Sequence, residues 1–135
     1  MKTNTIELYI HIPFCKSKCR YCDFCSFRAE EETIHAYLGK LKEELIFWGK
    51  KLAARDVVTV FIGGGTPSYL RREDIQMICE TIFEHFHICE DAEITIEANP
   101  GTVDLKKLCT YRENGINRIS FGSVSYTHLT LPTIA

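Results

Sequence analysis

The 135 residues suffice for one domain that buries roughly two-thirds of its unfolded surface. A formal net charge of -2, with 45% hydrophobic and 25% charged residues, excludes the basic excess that nucleic acid or an anionic membrane surface would attract. No apolar run approaches the ~20 residues of a membrane span, and the polar start, Met1 to Thr5, lacks the apolar segment of a secretory signal. A cytoplasmic location is expected, and there seven cysteines, four of them within eleven residues, point to metal or redox chemistry rather than disulfides.

In chain order, Ile6 to Ile12 is a short β-rich run that Pro13 ends, and a cysteine-rich loop follows to about Arg28. Ile34, Leu38, Leu41, Leu45, Trp48 and Leu52 then recur at three- and four-residue spacing, which predicts a helix from Glu31 to about Ala54 with this stripe as core. Glu30, Glu31 and Glu32 lie where the helix dipole favours acid, and Lys50, Lys51 and Arg55 where it favours base. Val57 to Ile62 reads as a strand buried on both faces, broken at Gly63-Gly64-Gly65. A second helix is predicted from Arg72 to Phe86, a third strand from Glu93 to Ala98, a third helix from Asp104 to Glu113 capped by Asn114-Gly115, and a fourth strand from Arg118 to Phe121. Four strands alternating with three helices predict an α/β fold with a parallel sheet. The cysteines, Gly63 to Thr66, and Glu97 with Asn99 each follow directly on a strand, so they converge at the carboxyl ends, where such folds place their sites.

The strongest local signal is Cys15-Lys-Ser-Lys-Cys19-Arg-Tyr-Cys22. Three thiolates at this spacing can wrap three corners of an iron–sulfur cube and leave one iron open to a ligand. A zinc site that adds Cys25 as fourth ligand is the alternative, although such sites usually come as two separated C-x2-C pairs. Cys25 reads as a small buried side chain or a fourth ligand, and Cys79, Cys89 and Cys109 as core thiols. Gly63 to Thr66 offers bare backbone that can approach a ligand closely, and with no Gly-Lys-Ser/Thr following it is not a P-loop. Glu97 is an acid at a strand end, costly to bury without partners. Ribose hydroxyls could supply them, and a salt bridge to Arg118 is the rival.

Tyr9-Ile-His-Ile-Pro-Phe-Cys15, the C-x3-C-x2-C loop, Gly63-Gly-Gly-Thr-Pro67 and Glu97-Ala-Asn-Pro-Gly101 occur in the order found in the radical SAM superfamily, which the chain resembles from Leu8 to Gly122. More narrowly it resembles the branch that holds the heme chaperone and oxygen-independent coproporphyrinogen III oxidase. The resemblance implies the N-terminal part of a partial (βα)6 TIM-like barrel, about four parallel strands with three helices. It also implies a [4Fe–4S] cluster on Cys15, Cys19 and Cys22, with S-adenosyl-L-methionine on its open iron. Gly64, Gly65 and Thr66 would then meet the methionine amino group, Glu97 the ribose, and Tyr9 the cofactor, with Tyr21 either beside the adenine or packing the loop. His11 reads as a supporting histidine on the face of Tyr9.

Cys22-Asp-Phe-Cys25-Ser and Asn99-Pro100 favour the chaperone side, implying heme as a further ligand and heme-acceptor proteins as partners. The alternative is the oxidase, acting on a porphyrinogen, and a zinc-stabilised binding module is the third reading. A radical SAM core is expected over residues 1–122, truncated and completing no reaction alone. Residues 123–135 lose both periodicities and read as a non-native tail, so the position where the resemblance implies a glutamine holds Val124, and His128 is given no role.

Overall fold

The computed structural model describes residues 4–15 and 30–121. Cys19, Tyr21, Cys22 and Cys25, and the segment from Gly122 onward, lie outside the described residues. Strand β1 (Thr5–Ile12) leads to helix α1 (Glu31–Lys51), then β2 (Asp56–Gly64), α2 (Arg72–His85), β3 (His87–Ala98), α3 (Leu105–Glu113) and β4 (Arg118–Phe121). The strands form one parallel sheet in the order β1-β2-β3-β4. This is the predicted α/β alternation, four parallel strands with three helices.

The sheet has two chemically different faces. Ile10 and Ile12 of β1, Val60 and Ile62 of β2, and Ile94 and Ile96 of β3 are buried together with Ile34, Leu38 and Leu45 of α1 and Ile75, Ile78 and Ile82 of α2. This face, covered by helices, is the core, and burying each of those side chains contributes roughly 1.5–3 kcal/mol. The alternate positions carry Glu7, Tyr9 and His11, then Thr59 and Phe61, then Glu93 and Glu97, all exposed or half-buried, with Thr95 between the last two fully buried. β2 is therefore buried on one face and only half-covered on the other, not on both as its apolar run predicts. The side away from the helices is where polar groups are free to gather.

Three local departures from the sequence reading have physical causes. Trp48 is 45% exposed, with its indole edge-on to Phe47. Gly49, the next residue, is buried against α2, where an added Cβ would meet the His85 carbonyl oxygen at 2.6 Å. The close helix contact thus takes Gly49 inward and leaves Trp48 at its margin. β3 begins six residues early, at His87, because its first residues pair with Asp56 and Val57 before the register slips and Glu93 meets Thr59. Of the distal cysteines, Cys79 is buried in α2 and Cys89, half-buried on β3, packs against the core, whereas Cys109 is exposed on α3.

Helix ends follow the expected chemistry. The Asp104 carboxylate caps α3 by accepting the Lys107 N–H at 2.8 Å. At its other end Gly115 (φ +98°) reverses the chain, with the Ile116 and Gly115 N–H groups donating back to the Tyr111 and Arg112 carbonyls.

Candidate functional site

Cys15, the glycine loop and Glu97 meet at the carboxyl ends of β1, β2 and β3. The first join is between β1 and the glycine loop. Past the end of the regular pairing, the Gly65 N–H donates to the Ile12 carbonyl at 2.6 Å and the Thr66 N–H to the Phe14 carbonyl at 2.7 Å. These bonds carry the parallel ladder onto the residues just before Cys15, which is 5% exposed. Phe14 is fully buried edge-on against Tyr37, whose hydroxyl donates to the His11 carbonyl. Burial, then the nearby Glu44 and Tyr9, push the Tyr37 pKa up, so this donor keeps its proton. The first cysteine of the loop thus stands on a rigid stem.

The second join is between the glycine loop and Glu97. Gly64 sits at φ +117°, and its N–H donates to Glu97 Oε1 at 2.9 Å. A Cβ at Gly64 would lie 2.7 Å from the Ile12 carbonyl oxygen and 2.8 Å from His11 Nδ1, and one at Gly63 would lie 2.6 Å from Glu97 Oε1. Glycine is required here both by conformation and by space. His11 Nδ1 in turn shares a hydrogen bond of 3.1 Å with the Tyr9 hydroxyl, and the Tyr9 ring stacks on Phe61 with centroids 6.0 Å apart. Tyr9 remains 57% exposed on the polar face of the sheet.

Glu97 does not make the rival salt bridge. The ion pair of Arg118 is with Glu93, at 3.0 Å, and the same guanidinium donates to Thr95 Oγ1 at 3.3 Å. One carboxylate oxygen of Glu97 is engaged by a backbone donor and the other has no partner among the described residues.

A third join lay beyond sequence reasoning. Ser68, fully buried, accepts the Asn99 N–H at 3.0 Å and shares a short hydrogen bond with Thr102. Lys107 Nζ, in the first turn of α3, donates to the Ser68 and Thr102 carbonyls. The loop after β3 is thereby tied to the loop after β2, which fixes Glu97 relative to Gly64. No spacing rule links positions 68, 99, 102 and 107, since the link exists only once the strands are paired.

Of the candidate site residues, Tyr9, Cys15, Gly64, Gly65, Thr66 and Glu97 are described; all but Tyr9, which stands on the polar face of β1, fall at the carboxyl ends of β1, β2 and β3. Cys19, Cys22 and Tyr21 lie outside the described residues, and among the described ones no three His, Cys, Asp or Glu side chains gather as metal ligands. A cavity of about 550 Å³ between α3 and β4, lined by Leu108, Tyr111 and Ile119 among others, lies elsewhere, at the edge of the sheet.

Comparison with known proteins agrees with this geometry. The sequence matches the Radical SAM superfamily over residues 9–131. It is 43% identical over 126 residues to the heme chaperone HemW of Buchnera aphidicola subsp. Schizaphis graminum, covering 90% of this chain and 32% of that protein. With the heme chaperone HemW of Escherichia coli (strain K12) it shares 41% over 128 residues, 94% of this chain and 34% of the relative. Among solved structures, coproporphyrinogen III oxidase (HemN) from Escherichia coli, a radical SAM enzyme, superposes with a TM-score of 0.83 at 33% identity, over 90% of this chain and 28% of that one. The chain thus spans about a third of the length of these relatives. With its strand order, its glycine loop against β1 and its match over nearly the whole length, the chain belongs to the radical SAM superfamily.

Proposed function

We propose that the chain is the cluster- and cofactor-binding part of a radical SAM protein of heme metabolism, most like the heme chaperones. In that reading the whole protein binds heme and delivers it to acceptor proteins in the cytoplasm. Membership of the superfamily implies a [4Fe–4S] cluster and S-adenosyl-L-methionine. The observation that carries the proposal is the Gly64 N–H bond to Glu97, beside Cys15 on its rigid stem.

The residues present fit these groups. Cys15, with Cys19 and Cys22, would hold the cluster through three thiolates, the usual donors to iron–sulfur irons. Gly64, Gly65 and Thr66 would present backbone and hydroxyl groups to the amino-acid end of the cofactor, since a side chain at Gly64 would strike the strand below it. The second oxygen of Glu97 would accept from the ribose. Tyr9 would lie against the cofactor from the polar face, held by Phe61 and His11, and Tyr21 would flank the adenine. The cluster, when bound, supplies one electron to the sulfonium. The protein's own part is to fix the ligands, orient the nucleoside and keep water from Cys15. A core domain over residues 1–122, with 123–135 outside it, belongs to the same proposal.

A second reading is favoured by one observation, the superposition on coproporphyrinogen III oxidase. The two readings separate on an intact protein carrying this segment: a chaperone gives saturable heme binding and no decarboxylation, an oxidase turns over coproporphyrinogen III in the presence of S-adenosyl-L-methionine. Turnover without stable heme binding overturns the chaperone reading.

A further inference from the structure

The Thr66 hydroxyl lies 3.5 Å from Cys15 Sγ and donates to it. Nothing else in the described structure competes for that proton. Thr66 stands at the N-cap of the short 3-10 turn Pro67–Tyr69, yet its side chain makes no capping hydrogen bond. Its backbone is fully committed: the N–H goes to the Phe14 carbonyl, and the carbonyl accepts from the Tyr69 N–H at 2.8 Å. The side chain is thus delivered to the sulfur by a backbone bonded on both sides, and the Phe14 carbonyl that accepts the Thr66 N–H directly precedes Cys15.

We infer that the Thr66 hydroxyl is a hydrogen-bond donor to the iron-bound sulfur of Cys15 and raises the reduction potential of the cluster. This rests on the reading of Cys15 as a cluster ligand. It gives Thr66 a role distinct from contact with the methionine end of the cofactor. The free thiol of the structure stands in for the iron-bound thiolate. A thiolate gains negative charge when the cluster takes up an electron, so a donor aimed at it stabilises the reduced state more than the oxidised one. Hydrogen bonds from outside the ligand set tune metal centres in this way. Cys15 is 5% exposed, so little water is at hand to replace the donor. Thr66 acts through Cys15, so it is a positioning and tuning residue rather than a catalytic one.

The test is a redox titration, by electron paramagnetic resonance, of protein reconstituted anaerobically with iron and sulfide, without S-adenosyl-L-methionine. One electron from dithionite reduces the cluster, and no bond to Cys15 is made or broken. Thr66→Val keeps the branched shape and removes the hydroxyl, whereas Thr66→Ser keeps the hydroxyl. The expected result is a reduction equilibrium about tenfold less favourable in Thr66→Val, equivalent to about 59 mV for one electron, with Thr66→Ser restoring most of it. Should Thr66→Val assemble no cluster, Thr66→Ala is titrated in its place and the same drop is expected. A potential unchanged by removal of the hydroxyl overturns the tuning role while leaving the cluster assignment intact. Failure of the unsubstituted protein to take up a cluster overturns both. Because the cofactor is absent, a change that appears only after it is added also counts against the proposal.

Discussion

Glu97 divides its two oxygens between the Gly64 N–H and an open side, and this division makes the residue testable. Glu97→Gln keeps an acceptor for Gly64 but loses the charge that strengthens hydrogen bonds from ribose hydroxyls. We expect about tenfold weaker binding of S-adenosyl-L-methionine, with the cluster and the fold unchanged, measured by equilibrium titration of the reconstituted protein. Gly64→Ala is a different kind of loss. Its φ of +117° and the 2.7 Å approach to the Ile12 carbonyl make any side chain strained. Destabilisation on the order of 1–3 kcal/mol, read from urea midpoints, should accompany lost cofactor binding. Both residues were legible in the sequence as an acid and a glycine placed after strands. Their direct contact was not, because 33 positions separate them and only the strand register closes that distance. The Thr66–Cys15 and Ser68–Asn99 bonds were hidden for the same reason.

The elements themselves were largely written in periodicity. α1, α2 and α3 begin within a residue of the expected positions, because acids and an aspartate cap mark their first turns. The exposure of Trp48 was not predictable from its place in the stripe, since it depends on how closely α1 and α2 approach at Gly49. Gly49→Val should therefore cost roughly 1–3 kcal/mol by forcing the helices apart, again read from urea midpoints, whereas Trp48→Ala should cost less. α2 also holds a pH signature. Burial pushes the Cys79 thiol up to about 12 and, on α3, the Tyr111 hydroxyl to about 12. Both groups stay protonated in the folded chain while the unfolded chain, with ordinary values of 9.0 and 10.0, begins to release them. The native state then binds more protons, so stability falls as pH rises from about 9 towards 12. At pH 10 the loss from Cys79 is on the order of 1 kcal/mol. The urea midpoint should drop between pH 8 and pH 10, and Cys79→Ala should flatten that drop. A drop between pH 8 and pH 10 left unchanged by the substitution would sink this assignment.

At the scale of the molecule, alternation of strand and helix sufficed for the α/β class, and the clustering of motifs after strands sufficed for the edge on which they meet. The polar face of the sheet was less legible. β2 reads as a mostly apolar run, and only pairing shows that Phe61 faces Tyr9 while Val60 and Ile62 face the helices. Under the proposed function, that half-covered face would form a wall of the cofactor site. The chain spans about a third of the length of its relatives. This third would, under the proposed function, supply the ligands of a cluster and of its cofactor.

That claim is tested by reconstituting the protein anaerobically with iron and sulfide, then recording the electron paramagnetic resonance of the reduced sample before and after S-adenosyl-L-methionine is added. The account predicts about four irons per chain, a signal that shifts on addition of the cofactor, and loss of both in Cys15→Ala. Zinc alone in the purified protein, or an iron signal indifferent to the cofactor, would contradict it.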